Sequence, residues 1–367
     1  MKKLLKYLSP FAPDQSGACG VLYELGGLIV ICDAGGCAGN ICGFDEPRWF
    51  TKRSAVFSAG LRDMDAIMGR DDKLIAKLAS AQESLNCNFT AIVATPVPAV
   101  IATDMKALKR MAEKKTGVPC ITVNAIGTRY YDEGESEAWD QLFREFAGKD
   151  AGTDTSENSD GTEAAVVGVI GATPLETGYS SEAPLKEGLR RYGIEDSVIY
   201  GVGTDLDAVR AAGTVKKNLV VSAAGIKAAE YLKEKFGTPY EVGYPFIPES
   251  VLAEVKTASE AGSLGKTLII GSQFAANELR NIIGEGSNVN CATFFMSDKN
   301  YAAEGDRRLA GEDELWKLVL DSDYDTIIAD DDIKRLLDAA GYKGAFISFP
   351  HFAISGRPLD EGKTLYN

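Results

Sequence analysis

The chain has 367 residues, 45% of them hydrophobic and 25% charged, enough to bury sizeable cores in two or three domains of roughly 100–200 residues each. The formal net charge is −14 and no basic patch stands out, which argues against nucleic acid and anionic membrane surfaces as partners. No apolar run reaches membrane-spanning length, and Lys6 and Pro10 interrupt the short apolar patch at the N-terminus before a secretory core forms, so a cytoplasmic protein is expected.

In chain order, "LGGLIVIC" (25–32) reads as a buried strand, followed by the glycine turn "AGG" and a helix beginning near Cys37. "DDKLIAKLASAQESL" (71–85) carries apolar residues at 74, 75, 78, 79 and 85, one helix face. "FTAIVAT" (89–95) is the next strand. "TDMKALKRMAEKKTG" is a helix capped by Thr103 or Asp104 and stopped by Gly117, and "VPCITVN" (118–124) is a strand again. "GKDAGTDTSENSDGTEA" (148–164) is polar and unanchored, a linker or long loop. The alternation restarts with "AVVGVIG", "SSEAPLKEGLRRYG", "DSVIYGVG", "TDLDAVRAAG", "NLVVSA" and "GIKAAEYLKEKFG". It restarts once more with "KTLIIG", "SQFAANELRNIIG", "VNCATFFM", "EDELWKLVLDS", "TIIAD", "DDIKRLLDAAG" and "GAFISFP". Strand–helix–strand repetition of this kind builds parallel sheets with crossover helices. The expected architecture is therefore α/β, three tandem Rossmann-like domains at 1–150, 151–262 and 263–367, the last with a C-terminal tail.

Several motifs are set aside. "GSLGKT" (262–267) lacks the first glycine of a phosphate loop, Glu260 standing there, and its Lys266 and Thr267 open a strand rather than a helix. "GVIGAT" (168–173) and "GVGTDL" (201–206) read as strand-to-helix turns. "ADDDIKRLL" puts three acids at a helix start, where the dipole suits them. His351 is the only histidine. It follows a strand, where α/β folds place ligand loops, and it is a substrate-pocket candidate or an ordinary capping residue.

The cysteines carry more. There are seven, and four of them, Cys19, Cys32, Cys37 and Cys42, crowd into the first 42 residues. A reducing compartment makes disulfides a poor explanation. Cys87, Cys120 and Cys291 read as small buried hydrophobes. Cys37 sits where a glycine turn enters a helix, so the dipole should favour the thiolate that a metal–sulfur bond requires. In a regular helix Cys42 would lie about 140° round from Cys37, and Cys32 would point into one face of the sheet. Cys37 is thus the first ligand candidate and Cys19 the second, with Cys32 and Cys42 weaker. Iron–sulfur clusters want about four thiolates, so two good ones per chain suggest that a second chain supplies the rest.

Residues 15–130 resemble component 1 of nitrogenase and its relatives, among them the subunits of dark-operative protochlorophyllide reductase and of the nickel-sirohydrochlorin reductive cyclase. "DQSGACGVLYELGGLIVICDAGGCAGN" is similar to that family's first cysteine, strand, glycine turn and second cysteine. "FSAGLRDMDAIMGRDDKLIAKLASA", "FTAIVATPVPAVIATDMKAL" and "VPCITVNAIGTRYYDEG" resemble the segments that follow, and "VVGVIG", "KTLIIGSQ" and "YDTIIADDDIKRLLDAAGYKGAFISFP" resemble the later domains. The family's third cysteine falls on Thr95. The resemblance implies an oxidoreductase component that receives low-potential electrons from a separate, ATP-hydrolysing iron protein and reduces a small-molecule or tetrapyrrole-like substrate. It implies a [4Fe–4S] cluster on Cys19 and Cys37, bridging two identical chains or a chain and a close paralogue. A cofactor-assembly scaffold and a non-redox small-molecule binding protein of the same fold are the alternatives.

Overall fold

The computed structural model describes residues 5–149, 166–284, 286 and 288–357; all but 148 and 149 of the expected linker lie outside them. Three fully parallel sheets follow one another along the chain.

The first contains β1 (Leu28–Ile31), β2 (Ala55–Ser58), β3 (Thr90–Val93) and β4 (Cys120–Val123) in the order β2-β1-β3-β4. The second repeats that order with β5 (Val167–Ile170), β6 (Ser197–Ile199), β7 (Lys217–Val220) and β8 (Tyr240–Val242), as β6-β5-β7-β8. The third has β9 (Thr267–Ile270), β10 (Val289–Thr293), β11 (Arg307–Arg308), β12 (Thr326–Ala329) and β13 (Ala345–Ser348), ordered β11-β10-β9-β12-β13. Each is a doubly wound arrangement. In such sheets the strand order reverses at one point, and the crevice outside the carboxyl ends of the two strands flanking that point is where ligands bind. Here those pairs are β1/β3, β5/β7 and β9/β12.

The helices are α1 (Asp14–Leu22), α2 (Gly36–Asn40), α3 (Asp63–Met68), α4 (Asp71–Leu85), α5 (Pro96–Val100), α6 (Met105–Thr116) and α7 (Tyr131–Phe146) around the first sheet. Around the second and third lie α8 (Pro174–Thr177), α9 (Glu182–Arg191), α10 (Leu206–Arg210), α11 (Ile226–Phe236), α12 (Glu249–Glu260), α13 (Gln273–Ile283), α14 (Glu312–Asp321) and α15 (Lys334–Ala340). The surface helices follow their sequence signals. α6 starts where the Asp104 side chain accepts from the Ala107 N–H and ends at Gly117 with φ +75°.

α1 and α7 were not legible in this way. Every residue of α1 is buried, as are ten of the sixteen in α7, so neither shows a simple one-sided apolar stripe. They lie against each other at two glycines. A Cβ on Gly134 would fall on the carbonyl oxygen of Asp14, and one on Gly17 on that of Tyr131. Cys19 therefore rides on a buried helix rather than on a segment leading into a strand.

Two connections run across the sheets. The Lys6, Tyr7 and Leu8 N–H groups all donate to the carboxylate of Glu312 beside the third sheet, and Ala12 N–H donates to the Ala353 carbonyl at 2.7 Å. α12 packs against α13 and β13, so it covers the third sheet although it precedes β9. No described helix is long and apolar enough to cross a membrane.

Candidate functional site

The cysteine loop occupies the reversal point of the first sheet. Cys37 follows β1, and Thr95 follows β3 as the residue before α5. The Thr95 hydroxyl donates to the Cys32 carbonyl at 2.9 Å, tying the two strand ends together, and lies where it also favours the Cys37 thiolate. The position that the resemblance gives to a third cysteine thus faces the second one.

Burial, not the helix start, decides the Cys37 thiol. Asp33 already occupies the start of α2, its carboxylate accepting from the Ala38 N–H at 2.8 Å and from the Ser58 hydroxyl at 2.6 Å. Burial, with the Asp33 charge behind it, raises the Cys37 thiol above its ordinary range. α2 also lasts only five residues before the chain widens into a π-helical turn, Ile41–Asp45, closed by a Glu46 N–H to Ile41 carbonyl bond of 2.8 Å. That i→i+5 turn breaks the regular helix on which the 140° separation of Cys37 and Cys42 rests.

Cys42 stands near Cys19 instead. Cys19 is fully buried and its thiol is pushed well up by burial, then by the charges of Glu46 and Cys42, while Arg48 opposes them. Burial likewise lifts Cys42 to about 11 and Cys32 to about 12. Cys32 packs on the other side of the sheet, among Leu28, Val30 and Ile92. Arg48 anchors the whole loop from within. Its guanidinium donates to Glu46 at 2.7 Å, to the Gly20 carbonyl at 2.6 Å and to the Gly201 carbonyl at 2.8 Å, and it pairs with Glu24 at 3.1 Å. A buried guanidinium holds in this way only with such dense pairing.

Outward, the loop is bare. A Cβ on Gly35, Gly36, Gly39 or Gly43 would meet nothing within 4 Å. Large apolar side chains follow the same strand ends without cover: Phe44 is 64% exposed, Phe50 61% and Val100 84%, and Ile101 and Ile126 are exposed too. All seven cysteines are free thiols, and among the described residues no group of three His, Cys, Asp or Glu side chains could hold a metal ion.

A second centre was not anticipated. Where β5 and β7 end, Thr173, Glu176 and Ser222 face Ser272, which follows β9 of the third sheet. The fully buried Glu176 carboxylate accepts from the Tyr131 hydroxyl and from the Ser272 hydroxyl, each at 2.6 Å, and Ser222 also acts on it. Thr173 donates to the buried Glu135, whose second oxygen has no hydrogen-bond partner. Burial dominates here. It lifts Glu176 to about 7 and Asp132 to about 6, and it raises Glu135 well above the carboxylate range. Burial outweighs the charge of Arg308 acting on Asp132 and that of Arg48 acting on Glu135, so all three carboxyls titrate above their ordinary range. Hydroxyl-bearing strand ends ("GAT", "VVS", "IIGS") were the only sequence signal, and they look like ordinary turns.

His351 borders this centre. Its ring stacks on Phe295 at 4.3 Å and contacts Tyr131 at 5.8 Å between centroids. Burial lowers it to about 4, and Nε2 has no partner. The cavity it lines with Phe11 and Phe294 measures about 20 Å³, room for a water and not for an organic substrate. Of the acids in "ADDDIKRLL", Asp330 pairs with Arg357 and Asp332 accepts from Ser9, so both are structural.

A family model described as nitrogenase component 1 type oxidoreductase matches residues 16–260, about two thirds of the chain. A solved structure described as "Nitrogenase Cp1 at pH 6.5" superposes with a TM-score of 0.68 at 11% identity, over 100% of this chain and 90% of that one. A second, "Nitrogenase Cp1 at pH 5", gives 0.64 at 16% identity, over 97% and 86%. At such identities these likenesses speak for the fold. No curated protein matches the chain by sequence.

Proposed function

Because the chain belongs to the nitrogenase component 1 type oxidoreductase family, we propose that it is the electron-accepting component of a nitrogenase-like reductase, two copies of which share a [4Fe–4S] cluster. Members of that family generally bind iron–sulfur clusters, form oligomers and work with an iron protein partner. The observation that carries the reading is the open half-site. A glycine-lined loop with a half-buried thiol sits at the reversal point of the first sheet, ringed by uncovered apolar side chains. One chain offers too few donors, and a second copy laid on the same surface would double them and cover Phe44 and Val100.

Thiols are the donors such a shared cluster would need. Cys19 and Cys37 would hold it from each chain, and Cys42, beside Cys19, stands in reserve as a third donor. A bound [4Fe–4S] cluster supplies one-electron transfer at low potential. The chain's own part is to position and protonate. Thr95 and Arg48 favour the thiolates of Cys37 and Cys19, whereas burial keeps the unliganded thiols protonated, so loading must release protons and weaken as pH falls. Reduction consumes protons as well as electrons, and the raised carboxyls of Glu135 and of Glu176, the latter near 7, would supply them from the second centre. The glycine contact of α1 with α7 joins the centres: Gly17 touches the Tyr131 backbone and Glu135, and Cys19 lies two residues further on.

The test is anaerobic purification with an iron protein-type ATPase as electron donor. The reading expects iron, a reduced-state EPR signal and donor-dependent oxidation of the reduced partner. One observation favours a second reading, a non-redox binding protein: burial raises every one of the seven thiols. Protein that stays iron-free after reconstitution would decide for it.

A further inference from the structure

One buried carboxylate ties together the elements that carry Cys19, Cys37 and Cys42. Asp45 ends the π turn that holds Cys42, and it is only 4% exposed. Its Oδ2 accepts from the Ser16 hydroxyl of α1 at 2.6 Å and from the Asn40 side-chain amide at the end of α2 at 2.9 Å. Its Oδ1 accepts from the Ser355 hydroxyl at 2.7 Å, and the Gly356 N–H donates to the same carboxylate.

Spacing gives these bonds their meaning. Ser16 lies three residues before Cys19 on α1, and Asn40 three residues after Cys37 on α2. Residues three apart are neighbours on a helix face, so on both helices the thiol stands beside the side chain that reaches Asp45. Cys42 lies three residues before Asp45 in the turn itself. Such π turns are rare and gather at functional sites, and this one is supported from far along the chain. Ser355 and Gly356 lie beyond β13, in a segment fixed to the third sheet. Asp330, the residue after β12, accepts there from the His351 N–H and from the Arg357 guanidinium, each at 2.7 Å, and the Ser355 N–H donates to the Pro10 carbonyl at 2.9 Å. Through Asp45 the third sheet braces the cysteine loop on the first.

We propose that Asp45 is the positioning residue of the thiol loop, holding Cys19, Cys37 and Cys42 in one arrangement, with Ser355 and Gly356 as its brace. The inference rests on the cluster reading for its purpose, though not for its geometry. Ligand side chains keep their places through the groups hydrogen-bonded behind them. A carboxylate suits the task because its two oxygens accept from several donors at once. Asparagine can nearly replace it. Its oxygen can accept from Ser355 and Gly356, and its amide can donate to the Ser16 hydroxyl and to the Asn40 oxygen once that amide turns. Alanine leaves all four donors without their acceptor.

The experiment is alkylation of the reduced, metal-free full chain with iodoacetamide, each thiol followed by mass spectrometry, in wild type, Asp45→Ala, Asp45→Asn and Ser355→Ala. Cys19, Cys120 and Cys291 are all buried, the last two away from the loop. Cys19 should react at least about tenfold faster in Asp45→Ala, through local opening of the loop, while Cys120 and Cys291 keep their wild-type rates. Asp45→Asn should restore the slow rate of Cys19. Ser355→Ala, at a half-buried position, removes only the brace and should speed Cys19 at least about threefold. Two results would overturn the proposal: a Cys19 rate unchanged in both alanine variants, or Cys120 and Cys291 accelerated in step with Cys19 in both, which would make Asp45 a general stabiliser. These rates need no iron, so wild-type protein that cannot be reconstituted would defeat the cluster reading and leave this test standing. Where iron loads, Asp45→Ala should lose most of it and Asp45→Asn keep it; full iron in Asp45→Ala would also overturn the proposal.

Discussion

The cysteine loop and the carboxylate centre occupy equivalent places, the reversal points of doubly wound sheets, and they are built in opposite ways. The loop is open. Its glycines face empty space, its apolar side chains lack cover, and the Cys37 and Cys42 thiols are half-buried. The carboxylate centre is shut. Tyr131, Ser222, Ser272 and Thr173 close on Glu176 and Glu135 from helices and strand ends of all three sheets, and almost every polar atom finds a mate within the chain. On the function proposed above, a site that a second copy completes must stay exposed in the single chain. A site meant to hold protons away from water must be sealed by its own chain, because an open carboxyl would titrate in its ordinary range.

The contrast breaks most sharply at the glycines. Gly134→Ala at the α1–α7 contact drives a methyl into the Asp14 backbone and should cost about 3 kcal/mol, read in a urea melt. Gly36→Ala in the open loop meets nothing and should stay within about 0.5 kcal/mol of wild type. Equal costs at the two positions would remove the distinction between closed and open.

The next handle is pH. The Glu176 carboxyl titrates near 4.5 in the unfolded chain and near 7 in the fold, so between those values only the folded form keeps the proton. Stability should therefore fall as pH rises from about 4.5 to about 7 and level off above. Glu176→Gln should reduce that slope in melting temperature, leaving the part that the raised Asp132 and Glu135 carboxyls contribute in the same sense. His351 works with the opposite sign. Its ordinary value of 6.5 drops to about 4, so its contribution is lost as pH falls through that window, in the Gln variant as in wild type. A slope unchanged in Glu176→Gln would mean that the centre does not hold the proton.

On the open side, Val100→Lys should leave the melting temperature of the single chain unchanged and weaken self-association by at least about tenfold, measured by analytical ultracentrifugation. Smallest of all, Thr95→Ala should keep the iron content and cost about 1 kcal/mol for the lost bond to the Cys32 carbonyl. Loss of iron would make Thr95 part of the cluster site.

The sequence spoke clearly about the open region and hardly at all about the closed one. Surface helices such as 71–85 and 103–117 declare themselves through one apolar face and their caps, and the buried strands through short apolar runs. α1 and α7 are buried on most sides and carry no such contrast, so the helix bearing Cys19 went unread. The π turn at Ile41–Asp45 has no signature in its residues, and with it went the angle between Cys37 and Cys42. Asp33 reaching back to cap α2 was equally invisible, because the cap depends on where β1 ends. Glu135 and Glu176 are 41 positions apart and become a centre only when the second and third sheets turn their carboxyl ends together. A composition of hydroxyls and acids at turns does not foretell that.

The shared cluster is tested most directly by native mass spectrometry and EPR on anaerobically prepared protein, comparing wild type with Cys19→Ser, Cys37→Ser, Cys42→Ser and Cys32→Ser. The expected result is a wild-type dimer carrying about four iron atoms, with iron and signal lost in Cys19→Ser and Cys37→Ser and kept in Cys32→Ser; loss in Cys42→Ser as well would add a third ligand from each chain. A wild-type monomer holding a full cluster, or a dimer whose iron survives Cys37→Ser, would contradict it.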